Sequence, residues 1–143
     1  MYLLDTNILS ELIRLRPDPL VEARFEVEPE ALFTSVICVE EIHYGAKIGP
    51  PGNKLWERSQ AEVFPRLTML PLDEALAIAA ADLRAEWKRQ GTPLAYADGL
   101  IAATAKCKNL ILVTRNVRHF DHVAGLTVEN WFGPPPPPAP PTG

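Results

Sequence analysis

An α/β domain on a parallel sheet is what this sequence of 143 residues predicts, and three observations predict it. Short apolar runs recur along the chain, each brief enough to be a strand buried on both faces and each closed by a polar turn. Amphipathic or apolar helical patterns separate those runs, which is the alternation of a sheet with crossover helices. Two of the turns, Asp5-Thr6-Asn7 and Thr114-Arg115-Asn116, are alike, so two strand ends present similar polar corners. In open α/β sheets such carboxyl ends are where ligands bind.

Taken in order, residues 1–4 form a strand that Asp5 ends abruptly. Thr6 and Asn7 are helix-start residues, with Ile8, Leu9, Leu12 and Ile13 following at helical spacing. Residues 19–27 form a short helix opened by Pro19 and packed by Leu20 and Phe25. Residues 28–30 are polar punctuation around Pro29. Residues 31–34 are a second strand, and Ser35 caps the helix over residues 36–48.

That helix carries adjacent acids. Glu41 falls in the row Ile37, Glu41, Tyr44, Ile48 and is expected to face inward, while Glu40 shares a polar row with His43 and Lys47. An inward carboxylate is costly unless paired or metal-bound, so Glu41 is the informative one and His43 reads as a surface residue. Gly45 removes bulk one turn beyond Glu41.

Gly49-Pro50-Pro51-Gly52 stops the helix, residues 53–64 resume a helical pattern, and Pro65 closes it. Residues 67–72 are a third strand. Asp73 caps a helix with the stripe Leu76, Ala80, Leu83, Trp87, ended by Gly91 and Pro93. Residues 94–108 form a nearly all-apolar helix with Asp98 and Gly99 near its start; a first-turn acid suits the helix dipole, but an idle carboxylate in so buried a helix is unexpected. Residues 110–113 are a fourth strand, residues 117–120 one helical turn, and residues 126–130 a short edge strand. Residues 133–143 are proline-rich and can form neither sheet nor helix, leaving polyproline II or disorder.

Composition narrows the function. The chain is long enough for one domain with a proper core. It has no run of about 18 apolar residues for a membrane span, and its start leaves no room for a leader, so a cytoplasmic protein is expected. Cys38 and Cys107 lack CxxC spacing and are expected to be reduced core residues. A net charge of −4 argues against charge-driven coating of nucleic acid. It leaves a nuclease open, because metal ions neutralise phosphate locally.

The informative acids are then Asp5, Glu41 and Asp98. Hard oxygen donors without a Cys/His set suit Mg²⁺, with Mn²⁺ as substitute, rather than zinc. At these residues the sequence resembles the PIN-domain ribonucleases, specifically the VapC-type toxins of type II toxin-antitoxin pairs. Leu3-Leu4-Asp5-Thr6-Asn7, Glu41-Ile42-His43-Tyr44-Gly45, Asp98-Gly99-Leu100-Ile101-Ala102-Ala103-Thr104-Ala105 and Val113-Thr114-Arg115-Asn116 carry the resemblance by their order and spacing, over residues 1–132. It implies a three-layer α/β/α sandwich with a parallel sheet of about five strands and Mg²⁺-dependent endoribonuclease activity. It also implies metal contacts at Asp5 and Asp98 with support from Glu41, a homodimer, and a cognate antitoxin as partner. Many relatives place a fourth carboxylate around the last turn. Here Asn116 and His119 stand there, with Asp121 further on, and Asn116 supplies an amide without charge. One firm metal at Asp5 and Asp98 is therefore expected, with a second recruited only alongside RNA.

Two other functions compete. A domain that binds antitoxin or RNA without cutting draws support from the incomplete fourth acidic position. A haloacid-dehalogenase-like phosphatase would share the Asp closing the first strand, but it wants a second Asp two residues on, where Asn7 stands.

Overall fold

The computed structural model describes residues 1–27, 31–133 and 141. Its centre is β1 (Tyr2–Leu4), flanked in parallel by β2 (Leu32–Ser35) and β4 (Ile111–Val113). β3 (Thr68–Leu70) lies outside β2 and β5 (Val128–Glu129) outside β4, giving five parallel strands in the order β3-β2-β1-β4-β5. Successive strand residues point to opposite faces. Leu3 and Leu4 are both fully buried, as are Leu112 and Val113, so both faces of the sheet are covered. This is the α/β/α sandwich that the resemblance implies.

The helices are α1 (Thr6–Leu12), α2 (Pro19–Val27), α3 (Val36–Ile48), α4 (Leu55–Arg58), α5 (Glu74–Arg89) and α6 (Tyr96–Cys107). Side-chain caps define the starts of α1, α3 and α5: Asp5 accepts from Ile8 N, Ser35 from Ile37 N and Asp73 from Leu76 N. α4 runs on through one π-helical turn, Ser59–Val63, and a 3-10 turn containing Pro65, Phe64–Arg66. At the far end Asn109, with φ of 55°, stops α6 before β4. No described helix is long and apolar enough to cross a membrane.

The strand order has a consequence for function. From β1 the chain builds outward through β2 to β3, then returns to the other side of β1 with β4. The order in which strands are added therefore reverses between β1 and β4, and the loops at their carboxyl ends diverge to leave a crevice. Asp5 and Thr114 are the residues that follow those two strands.

Several expectations are corrected. On α2, Val21 and Phe25 are buried while Leu20 is 44% exposed, because Val21 and Phe25 lie one turn apart on one face whereas Leu20 and Phe25, five residues apart, do not share a face. On α3, Cys38 and Ile42 form the buried row, and Tyr44 and Ile48 are exposed. The two candidate rows sit one residue apart in sequence and both look apolar, so local pattern could not choose between them. Glu41 consequently lies at the margin of the buried face and is half-buried. His43 is also half-buried, its ring 4.2 Å from that of Trp56. Cys38 is buried as expected, but Cys107, at the last turn of α6, is exposed. Residues 28–30 and, apart from Gly133 and Pro141, the proline-rich segment lie outside the described residues.

Two helical glycines are predicted to behave oppositely. A Cβ at Gly99 would come within 2.5 Å of Arg84 Cγ, since the Arg84 stem lies across the start of α6. Gly99→Val is expected to cost about 2 kcal/mol through overpacking. At Gly45 a Cβ would meet nothing within 4 Å, so the residue is not there to make room beside Glu41. Gly45→Ala should stabilise by up to about 1 kcal/mol through helix propensity. Urea titration of the two variants checks both signs.

Candidate active site

Asp5 is only 6% exposed. Its Oδ1 accepts the Ile8 N–H at 3.0 Å, and its own N–H donates to the Val113 carbonyl at 3.1 Å, prolonging the β1–β4 ladder by one residue. Capping is thus a real role of this residue, though it does not account for its electrostatics. Burial pushes the Asp5 carboxyl up to about 6, and the negative charge of Asp98 pushes the same way; the Thr114 side chain and the Ile8 N–H pull in the opposite direction.

Thr114, fully buried at the end of β4, is held by its N–H to the Glu129 carbonyl at 3.0 Å. Its Oγ1 accepts the Asn116 N–H at 3.1 Å. The hydroxyl that faces Asp5 therefore also shapes the turn that presents Asn116. Asp98 stands in the first turn of α6, half-buried, with its carboxyl raised by burial and lowered by His119, whose Nδ1 lies 3.9 Å from Oδ2.

Glu41 is fixed from α1. The Thr6 hydroxyl donates to Glu41 Oε1 at 2.6 Å, a charge-assisted bond joining the residue after Asp5 to the middle of α3. Glu41 and Asn116 share the lining of a cavity of about 600 Å³ with Asn7, Gly45, Arg115 and Phe132. Asp98 lines a separate cavity of about 320 Å³ with His119.

The negative charge of Asp98 thus adds a lesser push on the Asp5 carboxyl, Glu41 is tied to the α1 start, and Asn116 and Glu41 line one cavity. The structure does not put Glu41 and Asp98 in one cavity. Asp121 lines neither of these two cavities, and its Oδ1 is 2.9 Å from His122 Nδ1. Thr6 and Thr114 are the residues whose roles local pattern missed. Each follows a strand end, where it read as helix-start or turn chemistry, and only their partners 35 residues away or across the sheet reveal the function.

Among the described residues no three His, Cys, Asp or Glu side chains gather at metal-binding spacing. The donor chemistry of the pair Asp5 and Asp98 nevertheless fits a hard divalent cation. A buried carboxylate held near a second one is unfavourably charged, and a cation would offset both charges.

The PIN domain family profile matches residues 2–126. The chain belongs to the PIN-domain family. Within that family it is 36% identical to the VapC ribonuclease Y4jK of Sinorhizobium fredii, over 94% of this chain and 99% of the relative. The solved structure of FitAB bound to an IR36 DNA fragment superposes with a TM-score of 0.83 at 34% identity, covering 94% of this chain and 98% of its counterpart. A toxin-antitoxin complex from Klebsiella pneumoniae aligns with a TM-score of 0.69 at 28% identity, over 89% and 96% of the two chains. The PIN match takes in all of Asp5, Glu41, Asp98 and Asn116.

The Thr6–Glu41 bond carries a prediction of its own. Thr6→Val keeps the shape of the side chain but releases Glu41, and is expected to lower the RNA cleavage rate about tenfold, equivalent to about 1.4 kcal/mol in the barrier. The melting temperature should move by no more than a few degrees. Steady-state cleavage and a thermal melt of the same preparation check the two halves.

Proposed function

We propose that this chain is a metal-dependent endoribonuclease acting as the toxin of a type II toxin-antitoxin pair and neutralised by a cognate antitoxin. The observation that carries the reading is the buried Asp5 carboxylate at the β1–β4 switch point, in a PIN scaffold shared over nearly its whole length with a VapC ribonuclease. The antitoxin belongs to the proposal because the superposing structures include one described as a toxin-antitoxin complex. A homodimer belongs to it as well, checked by sedimentation.

Asp5 and Asp98 would hold Mg²⁺, which when bound lowers the pKa of a coordinated water and stabilises charge on a phosphoryl oxygen. The protein's own groups supply position. Thr114 and the Ile8 N–H keep the Asp5 carboxylate in one orientation, and His119 offsets part of the cost of burying the Asp98 charge. Thr6 occupies Oε1 of Glu41, which leaves Oε2 to orient a water in the cavity or to accept its proton. Hydrolysis consumes that water and divides the phosphodiester into a phosphate monoester and a hydroxyl.

Asn116 favours a second reading, a PIN domain that binds antitoxin or RNA without cleavage, since an amide in the fourth position adds no charge for a metal. One experiment separates the two. Purified protein incubated with structured RNAs should cleave them with Mg²⁺ or Mn²⁺ and not with EDTA. Cleavage that persists in EDTA overturns the metal dependence, and RNA binding without cleavage in either condition supports the second reading.

A further inference from the structure

We propose that Arg115 binds a backbone phosphate of the RNA strand next to the scissile one, and that Phe132 is a positioning residue that holds the guanidinium in place for it. The inference rests on the ribonuclease reading above and deepens it by naming where the strand is gripped.

Three observations lead there. Arg115 and Phe132 line the same cavity as Glu41, Asn7 and Asn116, so whatever enters beside Glu41 meets them. The Arg115 guanidinium carbon lies 4.4 Å from the centroid of the Phe132 ring. Among the described residues Arg115 has no carboxylate within 4 Å, whereas Arg14, which lines the same cavity, pairs with Glu11, and Arg24 and Arg66 pair with Glu129 and Glu26. In a cavity that also holds Glu11 and Glu41, this cation rests on an aromatic face and leaves its charge uncompensated.

Both partners are anchored. Arg115 sits in the turn that Thr114 closes through the Asn116 N–H. Phe132 follows the fully buried Trp131, and its N–H donates to Asn130 Oδ1 at 2.8 Å. A guanidinium lying on a ring keeps its N–H edge free, and that planar set of donors matches phosphate oxygens. The chemistry calls for such a group. A net charge of −4 repels RNA overall, and a cation in the cavity that no carboxylate pairs with provides local attraction where the strand must lie.

The test compares wild type with Arg115→Ala, Arg115→Lys, Phe132→Ala and Phe132→Tyr, each first shown to melt like wild type. Binding of a fluorescein-labelled random single-stranded RNA pool is measured in EDTA, where cleavage is blocked, over a range of KCl concentrations. Arg115→Ala should weaken binding about tenfold and reduce the slope of log affinity against log salt by about 0.7, the signature of one lost phosphate contact on a single strand. Arg115→Lys should restore the slope and only part of the affinity, because it keeps the charge without the planar donors. Phe132→Ala should weaken binding severalfold, and Phe132→Tyr should restore it. Unchanged affinity and slope in Arg115→Ala, with a wild type that still cleaves RNA in Mg²⁺, overturns this assignment and leaves the ribonuclease reading standing. A wild type that neither binds nor cleaves RNA overturns both.

Discussion

Asp98→Asn is expected to lower RNA cleavage by about a thousandfold or more while the chain stays folded. The amide keeps the size of the side chain and its hydrogen-bonding capacity but removes the charge that would hold a cation opposite Asp5. Losing that ligand forfeits both the activated water and the stabilisation of charge on phosphorus, each worth several kcal/mol, and about 4 kcal/mol corresponds to a factor of a thousand. Stability should not suffer. The Asp98 carboxyl is raised by burial, so the fold disfavours its ionised form, and Gly99 and the Arg84 stem beside it are untouched by the change. Cleavage assays with Mg²⁺, paired with circular dichroism of both proteins, provide the check. Equal cleavage by variant and wild type removes Asp98 from the mechanism.

The fold was readable where information is local. The strand predicted over residues 1–4 is observed at Tyr2–Leu4, and the bounds of α2 and α3 and the caps Ser35 and Asp73 follow from short-range chemistry and agree with the structure. What local pattern cannot encode is which strands become neighbours. The return of β4 to the far side of β1 is the step that makes the Asp5 corner a crevice, and it depends on packing of the whole sheet.

The same division runs through the site. Asp5, Glu41 and Asp98 stood out as carboxylates in apolar settings, and the resemblance to PIN ribonucleases drew them together and added Asn116 at the fourth position. Their supporting hydroxyls, Thr6 and Thr114, did not stand out, because threonine after a strand has an adequate local explanation. Phase was the other weak point. Rows one residue apart on α3 differ little in apolar content, so Tyr44 and Ile48 read as buried until the position of α1 fixed Cys38 and Ile42 as the inner face. Cys107 fails for a simpler reason, as its helix ends there and nothing covers the last turn.

Asp5→Asn should stabilise the metal-free protein at pH 8 while abolishing cleavage, and the stabilisation should disappear in acid. In the fold the Asp5 carboxyl is pushed up to about 6 from an ordinary value of 3.8, chiefly by burial, so the native state holds its proton more tightly than the unfolded chain does. The sign follows from linkage. Between about pH 4 and 6 the native state binds more protons, so this group's contribution to stability falls as pH rises, and above about 6 its full cost is present. Roughly two pKa units at 1.36 kcal/mol each set that cost at about 3 kcal/mol. Asparagine caps helices about as well as aspartate, so the bond from the Ile8 N–H survives the substitution. A melting temperature several degrees above wild type is expected at pH 8 in EDTA, with the gap closing as pH falls from 6 to 4. Mg²⁺ at pH 8 should raise the melting temperature of wild type and leave that of the variant unchanged, because only the ionised carboxylate offers the cation a partner. Identical melting of the two proteins at pH 8 in EDTA would show that the Asp5 charge is compensated within the fold, leaving the β1–β4 crevice no unbalanced charge for a cation to offset.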